Sequence, residues 1–118
     1  MDMRVQAVIA LMDSSFQQEL SAEELAQAVN LSASYLAHLF KAETGVSLFQ
    51  YLKSLRMRKA KELMETTFLS VKQIRNRVGV RDKCHFARDF KKTYGLTPAQ
   101  YKEHHLRGLI PKAESSSK

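Results

Sequence analysis

One unit occurs twice in this chain of 118 residues, and that repetition constrains its fold more than any single motif. Leu20-Ser21, Leu25, Val29, Asn30 and Leu31 match Leu69-Ser70, Ile74, Val78, Gly79 and Val80 at an offset of 49. One inserted residue then moves the offset to 50. From there Ser32, Leu36, Ala37, His38, Phe40, Lys41, Gly45, Ser47, Gln50 and Tyr51 align with Asp82, Phe86, Ala87, Arg88, Phe90, Lys91, Gly95, Thr97, Gln100 and Tyr101. Whatever closes around the first copy must close around the second in the same way.

Helix boundaries are legible within each copy. Ser21 with Glu24, Ser47 with Gln50, Ser70 with Gln73 and Thr97 with Gln100 have the spacing at which a cap side chain and its third helical residue satisfy each other's backbone donors. Pro98 fits the first helical position after Thr97, and Ser32 and Asp82 read as single-residue caps. Gly45, Gly79 and Gly95, with Asn30 as the next best residue, can take the left-handed conformation that ends a helix. The pattern predicts an all-α chain of seven helices, at about 3–17, 22–29, 33–44, 48–66, 71–78, 83–94 and 98–106, with no strand. Val5, Val8, Ile9, Met12 and Phe16 give the first helix an apolar face.

Each copy is thus a short helix, a turn of three or four residues and a second helix, the spacing of a helix-turn-helix. In the helix over 33–44, Leu36, Leu39 and Phe40 fall on one face and Ser34, Ala37, His38 and Lys41 on the other. The helix over 83–94 divides in the same way, with Phe86, Phe90 and Tyr94 inward and Lys83, Cys84, Ala87, Arg88 and Lys91 outward. A solvated surface explains one such outward face. The same small, polar and basic pattern in two copies points to contact with DNA.

Charge supports this reading. Lys and Arg number 19 against 12 Asp and Glu, a net of +7, which favours a polyanionic partner. Residues 1–46 carry Arg4 and Lys41 against six acidic residues, a net of −4, so the remainder holds +11. With 44% hydrophobic and 26% charged residues the composition is that of a folded, soluble protein rather than a disordered or membrane-spanning one. No signal-peptide pattern opens the chain, which predicts a cytoplasmic (nucleoid) location. A single cysteine, Cys84, excludes an internal disulfide and a multi-cysteine metal site. The four histidines, His38, His85, His104 and His105, fall on three helices without a metal-ligand spacing, so neither catalysis, nor a metal, nor a cofactor is expected.

Between the copies, the helix over 48–66 would run about 27 Å at 1.5 Å per residue. Two reading helices joined by such a strut could enter neighbouring major grooves, whose repeat is about 34 Å. Leu48, Leu52, Leu55, Ala60 and Leu63 form its apolar stripe, while Lys53, Arg58, Lys59 and Lys61 lie nearer solvent, Arg58 and Lys61 among the phosphate candidates. The domain limits read as 1–46 for the first unit, 47–66 for the linker helix and 67–107 for the second, with 108–118 a disordered tail.

These features together resemble the DNA-binding domain of the AraC/XylS family of bacterial transcription regulators. The resemblance covers about residues 3–106 and includes Leu31-Ser32-Ala33-Ser34-Tyr35-Leu36, Leu39-Phe40-Lys41, Glu43-Thr44-Gly45, Leu55-Arg56-Met57-Arg58-Lys59-Ala60, Val78-Gly79, Phe90-Lys91-Lys92, Tyr94-Gly95 and Thr97-Pro98-Ala99-Gln100-Tyr101. It implies sequence-specific binding of double-stranded DNA at promoters, one recognition helix per major groove, and regulation through contacts with RNA polymerase. By position the base readers would be Ser34, Ala37 and His38 in the first unit and Lys83, Cys84, Ala87 and Arg88 in the second. Arg88 suits a guanine, to which a guanidinium donates two hydrogen bonds. Ser32, Lys41 and His85 are placed for phosphates. Two positions depart from the family pattern: Arg75 stands where a small residue is usual and Val80 where an aromatic is. They imply looser support for the second recognition helix.

Members of that family usually carry a ligand-binding or dimerisation domain as well. The start of the first helix near Met1 favours the excised C-terminal part of a longer regulator over a stand-alone one. No membrane partner is expected. A second reading makes the protein a redox-responsive regulator that senses through Cys84, whose place beside Lys83 at a helix start could lower its thiol pKa.

Overall fold

The computed structural model describes residues 1–109. Seven α-helices, and among the described residues no strand, follow one another: α1 (Met3–Ser15), α2 (Ala22–Ala28), α3 (Ala33–Thr44), α4 (Leu48–Thr66), α5 (Val71–Arg77), α6 (Lys83–Tyr94) and α7 (Pro98–Leu109). The cap chemistry explains the agreement at the starts. Ser21 with Glu24 and Ser70 with Gln73 form reciprocal boxes, as do Thr97 and Gln100, whose two bonds are 2.9 and 3.2 Å. Ser47 Oγ accepts the Gln50 N–H at 3.1 Å, and Ser32 and Asp82 accept from Tyr35 and His85. Each such cap is worth about 1 kcal/mol.

The chain forms two compact units that divide between Arg56 and Met57, within α4. The expected strut over 47–66 is therefore shared, each half belonging to one unit. In the first unit α1, α2 and α3 pack on one another around Val5, Val8, Met12, Leu25, Leu36 and Phe40, and Leu48, Leu52 and Leu55 of α4 complete the cluster. In the second, α5, α6 and α7 pack mutually, and Ile74, Val78, Phe86 and Phe90 are at most 1% exposed. The looser support expected from Arg75 and Val80 is not found. Met57, Ala60 and Met64 are the buried residues of the second half of α4, whereas Leu63, which the expected stripe included, is only half-buried. The stripe is two runs, out of phase with each other.

At its far end α7 continues through Gly108 to Leu109, so residues 108 and 109, expected to belong to a disordered tail, are helical. A glycine in a last turn costs a helix only about 1 kcal/mol. Against that stand the Arg107–Glu103 pair, one turn apart at 3.1 Å, and the docking of His105 Nε2 at 3.1 Å from the Glu65 carbonyl oxygen. The remainder of the expected tail, 110–118, lies outside the described residues.

Two devices tie the first unit together. Asp2 caps α1: its carboxylate accepts from the Arg4 N–H at 2.7 Å and from the Arg4 guanidinium at 3.0 and 3.2 Å, and its own N–H donates to Glu43 at 2.7 Å. Arg56, half-buried, donates from Nε to the Phe16 carbonyl and from Nη2 to that of Gln18, both at 2.8 Å, holding the segment that leaves α1.

Both ties are open to measurement. Arg56→Met should lower the unfolding free energy by about 2 kcal/mol in a denaturant titration, since it removes two bonds from a charged donor. The Arg4 guanidinium, and after it the Arg4 N–H, hold the Asp2 carboxyl down at about 2 against its usual 3.8. Folding thus favours ionised Asp2, a contribution complete above about pH 4 and lost as the pH falls toward 2. Asp2→Asn should therefore reduce the thermal midpoint at pH 7, with the gap to the parent closing in that acid range. A gap independent of pH would rule out the carboxylate as its source.

Candidate nucleic-acid interface

What frees a helix face to meet a ligand is that the opposite face does all the packing. In α3 the buried side is Leu36 and Phe40, and the Phe40 ring meets Tyr51 edge-on at 5.5 Å. Ser34, Ala37, His38 and Lys41 are all exposed on the other side. In α6 the buried side is Phe86 and Phe90, with Tyr94 and Tyr101 at 4.9 and 5.7 Å from the Phe90 ring. Lys83, Cys84 and Arg88 are exposed and Ala87 is half-buried. All seven residues expected to read bases thus lie outside the buried sides of two short helices, six of them exposed and Ala87 half-buried.

Beside each face runs a groove. The first is lined by Ala22, Ala37, His38, Lys41, Ser47 and Phe49, and the second by Lys72, Arg75, Lys83, Ala87, Thr97 and Pro98. Several lining positions correspond across the repeat: Ala37 with Ala87 and Ser47 with Thr97. The grooves therefore arise from the fold, while their chemistry differs. The first holds one lysine and a largely exposed phenyl ring, Phe49, and the second three cations. Phe49, Lys72 and Arg75 had no place among the expected site residues; of the three, the sequence marked only Arg75, as a departure from the family pattern.

Among the residues expected at phosphates, Ser32, Lys41, Arg58 and His85 are exposed. Ser32 Oγ accepts the Tyr35 N–H at 3.1 Å, which leaves its hydroxyl proton available to an acceptor. The His85 ring is near a carboxylate already: its Nδ1 stands 3.4 Å from Asp82 Oδ2, while the His85 backbone N–H donates to Asp82 Oδ1 at 2.9 Å. That N–H bond holds the Asp82 carboxyl below its usual value. Lys61 is half-buried. Its ammonium lies 3.1 Å from the Glu65 carboxylate and over the rings of Tyr94 and Tyr101, and the Tyr101 hydroxyl donates to the same carboxylate. Glu65 raises the Lys61 pKa, and the bonds from Tyr101 and Lys61 lower that of Glu65. Lys61 is thus a structural cation of the second unit first.

Cys84 is exposed and is the chain's one cysteine, so oxidation cannot close a disulfide within the chain. Nothing in the geometry or in the relatives described below supports sensing through it. Among the described residues no group of three or more His, Cys, Asp or Glu side chains could hold a metal ion, and no helix is long and apolar enough to cross a membrane.

Residues 25–104 match the family model of a helix-turn-helix domain. The arabinose operon regulatory protein of Escherichia coli (strain K12) is 35% identical over 92 residues, which are 78% of this chain and 30% of that protein. The chain spans between 12% and 36% of the length of the first curated relatives it matches. Among solved structures, the C-terminal domain of AraT, a response regulator from Geobacillus stearothermophilus, superposes with a TM-score of 0.80 at 34% identity, covering 86% of this chain and 84% of that one. The DNA-binding domain of the global transcriptional factor AdpA, solved in complex with a target DNA, does so with a TM-score of 0.84 at 26% identity, covering 92% and 97%. With a family match over most of its length and the same paired fold, the chain belongs to the AraC-type family of helix-turn-helix DNA-binding domains.

Proposed function

We propose that the protein binds double-stranded DNA in a sequence-specific manner and regulates transcription at bacterial promoters, with α3 and α6 entering successive major grooves. One observation carries this reading: in both copies the helix after the turn buries a phenylalanine and exposes a small, polar or basic face, Ser34, Ala37, His38 and Lys41 in one and Lys83, Cys84, Ala87 and Arg88 in the other. That the AdpA domain was solved with its target DNA supports it.

In this reading Arg88 donates two hydrogen bonds to a guanine, and Lys83 reads an adjoining base edge. Ser34, Ala37 and His38 supply shape and weak polar discrimination in the first unit. Ser32, Lys41, Arg58 and His85 meet phosphates; Lys61, already paired with Glu65, contributes least. The regulated step is recruitment or obstruction of RNA polymerase, the site of action is the nucleoid in the cytoplasm, and an effector or dimerisation domain belongs to a longer chain that includes this one.

Salt separates this reading from a nonpolar association. With about six phosphates neutralised, log affinity should fall with log salt concentration at a slope near −5, and a complex insensitive to salt would refute duplex binding. Replacing Arg88 by Ala should cost about 1–3 kcal/mol on the preferred duplex and relax preference at one base pair. An equal loss on every sequence, measured by the same titration on scrambled duplexes, would reassign Arg88 to a phosphate.

A further inference from the structure

The two copies are not the same length, and the difference lies in the turn. Backbone bonds match through its first part. The Leu31 N–H donates to the Ala26 carbonyl at 2.9 Å, and its counterpart, the Val80 N–H, donates to that of Arg75 at 3.1 Å. The Asn30 N–H donates to Gln27, and the Gly79 N–H to Asn76, with Asn30 at φ +59° and Gly79 at φ +81°. In the first unit the cap Ser32 then follows Leu31 at once. In the second, Arg81 is inserted between Val80 and the cap Asp82.

At the position where the first unit has Ala26, 1% exposed and packed in the core, the second has Arg75. Its side chain reaches across the longer turn. Arg75 Nη1 donates to the Val80 carbonyl at 3.1 Å and to the Arg81 carbonyl at 2.5 Å. Those are the two carbonyls that flank the inserted residue on the way to the α6 cap.

We propose that Arg75 is a positioning residue for base recognition: its guanidinium clamps the residue inserted into the second turn and so sets the seat of α6, a function that the shorter first turn does not need. The proposal rests on the DNA-binding reading above and specifies how its second reading helix is held. A turn with one more residue has one more pair of soft dihedrals, and rotation there would swing Lys83 and Arg88 as a body. Two bonds from one charged donor stop that rotation.

The test measures binding to the preferred duplex, site preference by selection from random duplexes, thermal stability and helicity for the parent and a set of variants. Arg75→Ala should keep the parent's helical content, lose about tenfold in affinity, and flatten preference at the base pairs that Arg88→Ala also affects. Preference at the box read by α3, and the salt slope, should not change. Arg75→Lys, which keeps a charged donor, should recover part of both. Deleting Arg81 from the Arg75→Ala variant should restore thermal stability, because the shortened turn then repeats the first unit, where an alanine suffices.

Equal destabilisation by Arg75→Ala with and without Arg81 overturns the clamp, as does a uniform loss on all sequences with a shallower salt slope, which would make Arg75 a phosphate contact. If Arg75→Ala unfolds the second unit, Arg75→Lys against Arg75→Gln carries the comparison, and equal site preference in these two overturns the clamp. A parent that binds all duplexes alike refutes the DNA-reading function itself. A parent with a two-box preference that Arg75→Ala leaves intact refutes only the role of Arg75.

Discussion

Burial of a phenyl ring at the same position of each recognition helix underlies everything else in this fold. α3 and α6 are 12 residues each, a length at which a helix in water is marginal by itself. Phe40 and Phe90 are fully buried, and each is met by a tyrosine one helix further on, Tyr51 for the first and Tyr101 for the second. Such a ring contributes about 1.5–3 kcal/mol by burial alone, and the edge contacts add to that. Because the ring side supplies the packing, the other side is released from it, and residues as different as Ala37, His38, Cys84 and Arg88 can stand there at little cost to the fold.

That release lets two equal scaffolds carry unequal charge. Residues 1–46 hold a net of −4 and the rest +11, yet the caps Ser32 and Asp82 and the buried rings Phe40 and Phe90 of the two copies correspond. The grooves repeat the asymmetry: Lys41 is the only lysine lining the first, whereas Lys72, Arg75 and Lys83 line the second. Long-range attraction for a polyanion therefore originates in the second unit. The first is suited to short-range fit, with small side chains and a histidine on α3.

Local chemistry made most of the fold legible from sequence. Helix starts depend on a side chain three residues from its partner, so Ser21, Ser32, Ser47, Ser70, Asp82 and Thr97 could be read directly, and all are caps. The outward faces followed from helical periodicity in the same way. What escaped was long-range. Nothing near Arg56 announces that it will bind carbonyls 38 and 40 residues earlier, and nothing near Lys61 announces Tyr94 and Tyr101. In α4 the sequence suggests one stripe ending at Leu63, while the burial of Met57 and Met64 depends on where one unit gives way to the next. Pairings within a helical turn can be read from spacing; pairings made by tertiary packing cannot.

Arg75 lies between these cases. As a residue type it looked like a fault, a long cation in a place where its counterpart Ala26 is packed into a core. Two constraints fix a recognition helix, the cap that starts it and the ring that sets its rotation, and both are conserved between the copies of this chain: Ser32 with Phe40, Asp82 with Phe90. The turn before the cap can then change length, provided its carbonyls stay bound. In the second unit the residue that binds them is Arg75, the long cation that stands where the first copy has Ala26. A mismatch between repeated sequences thus marks the point where the second copy solves a problem that the first does not have.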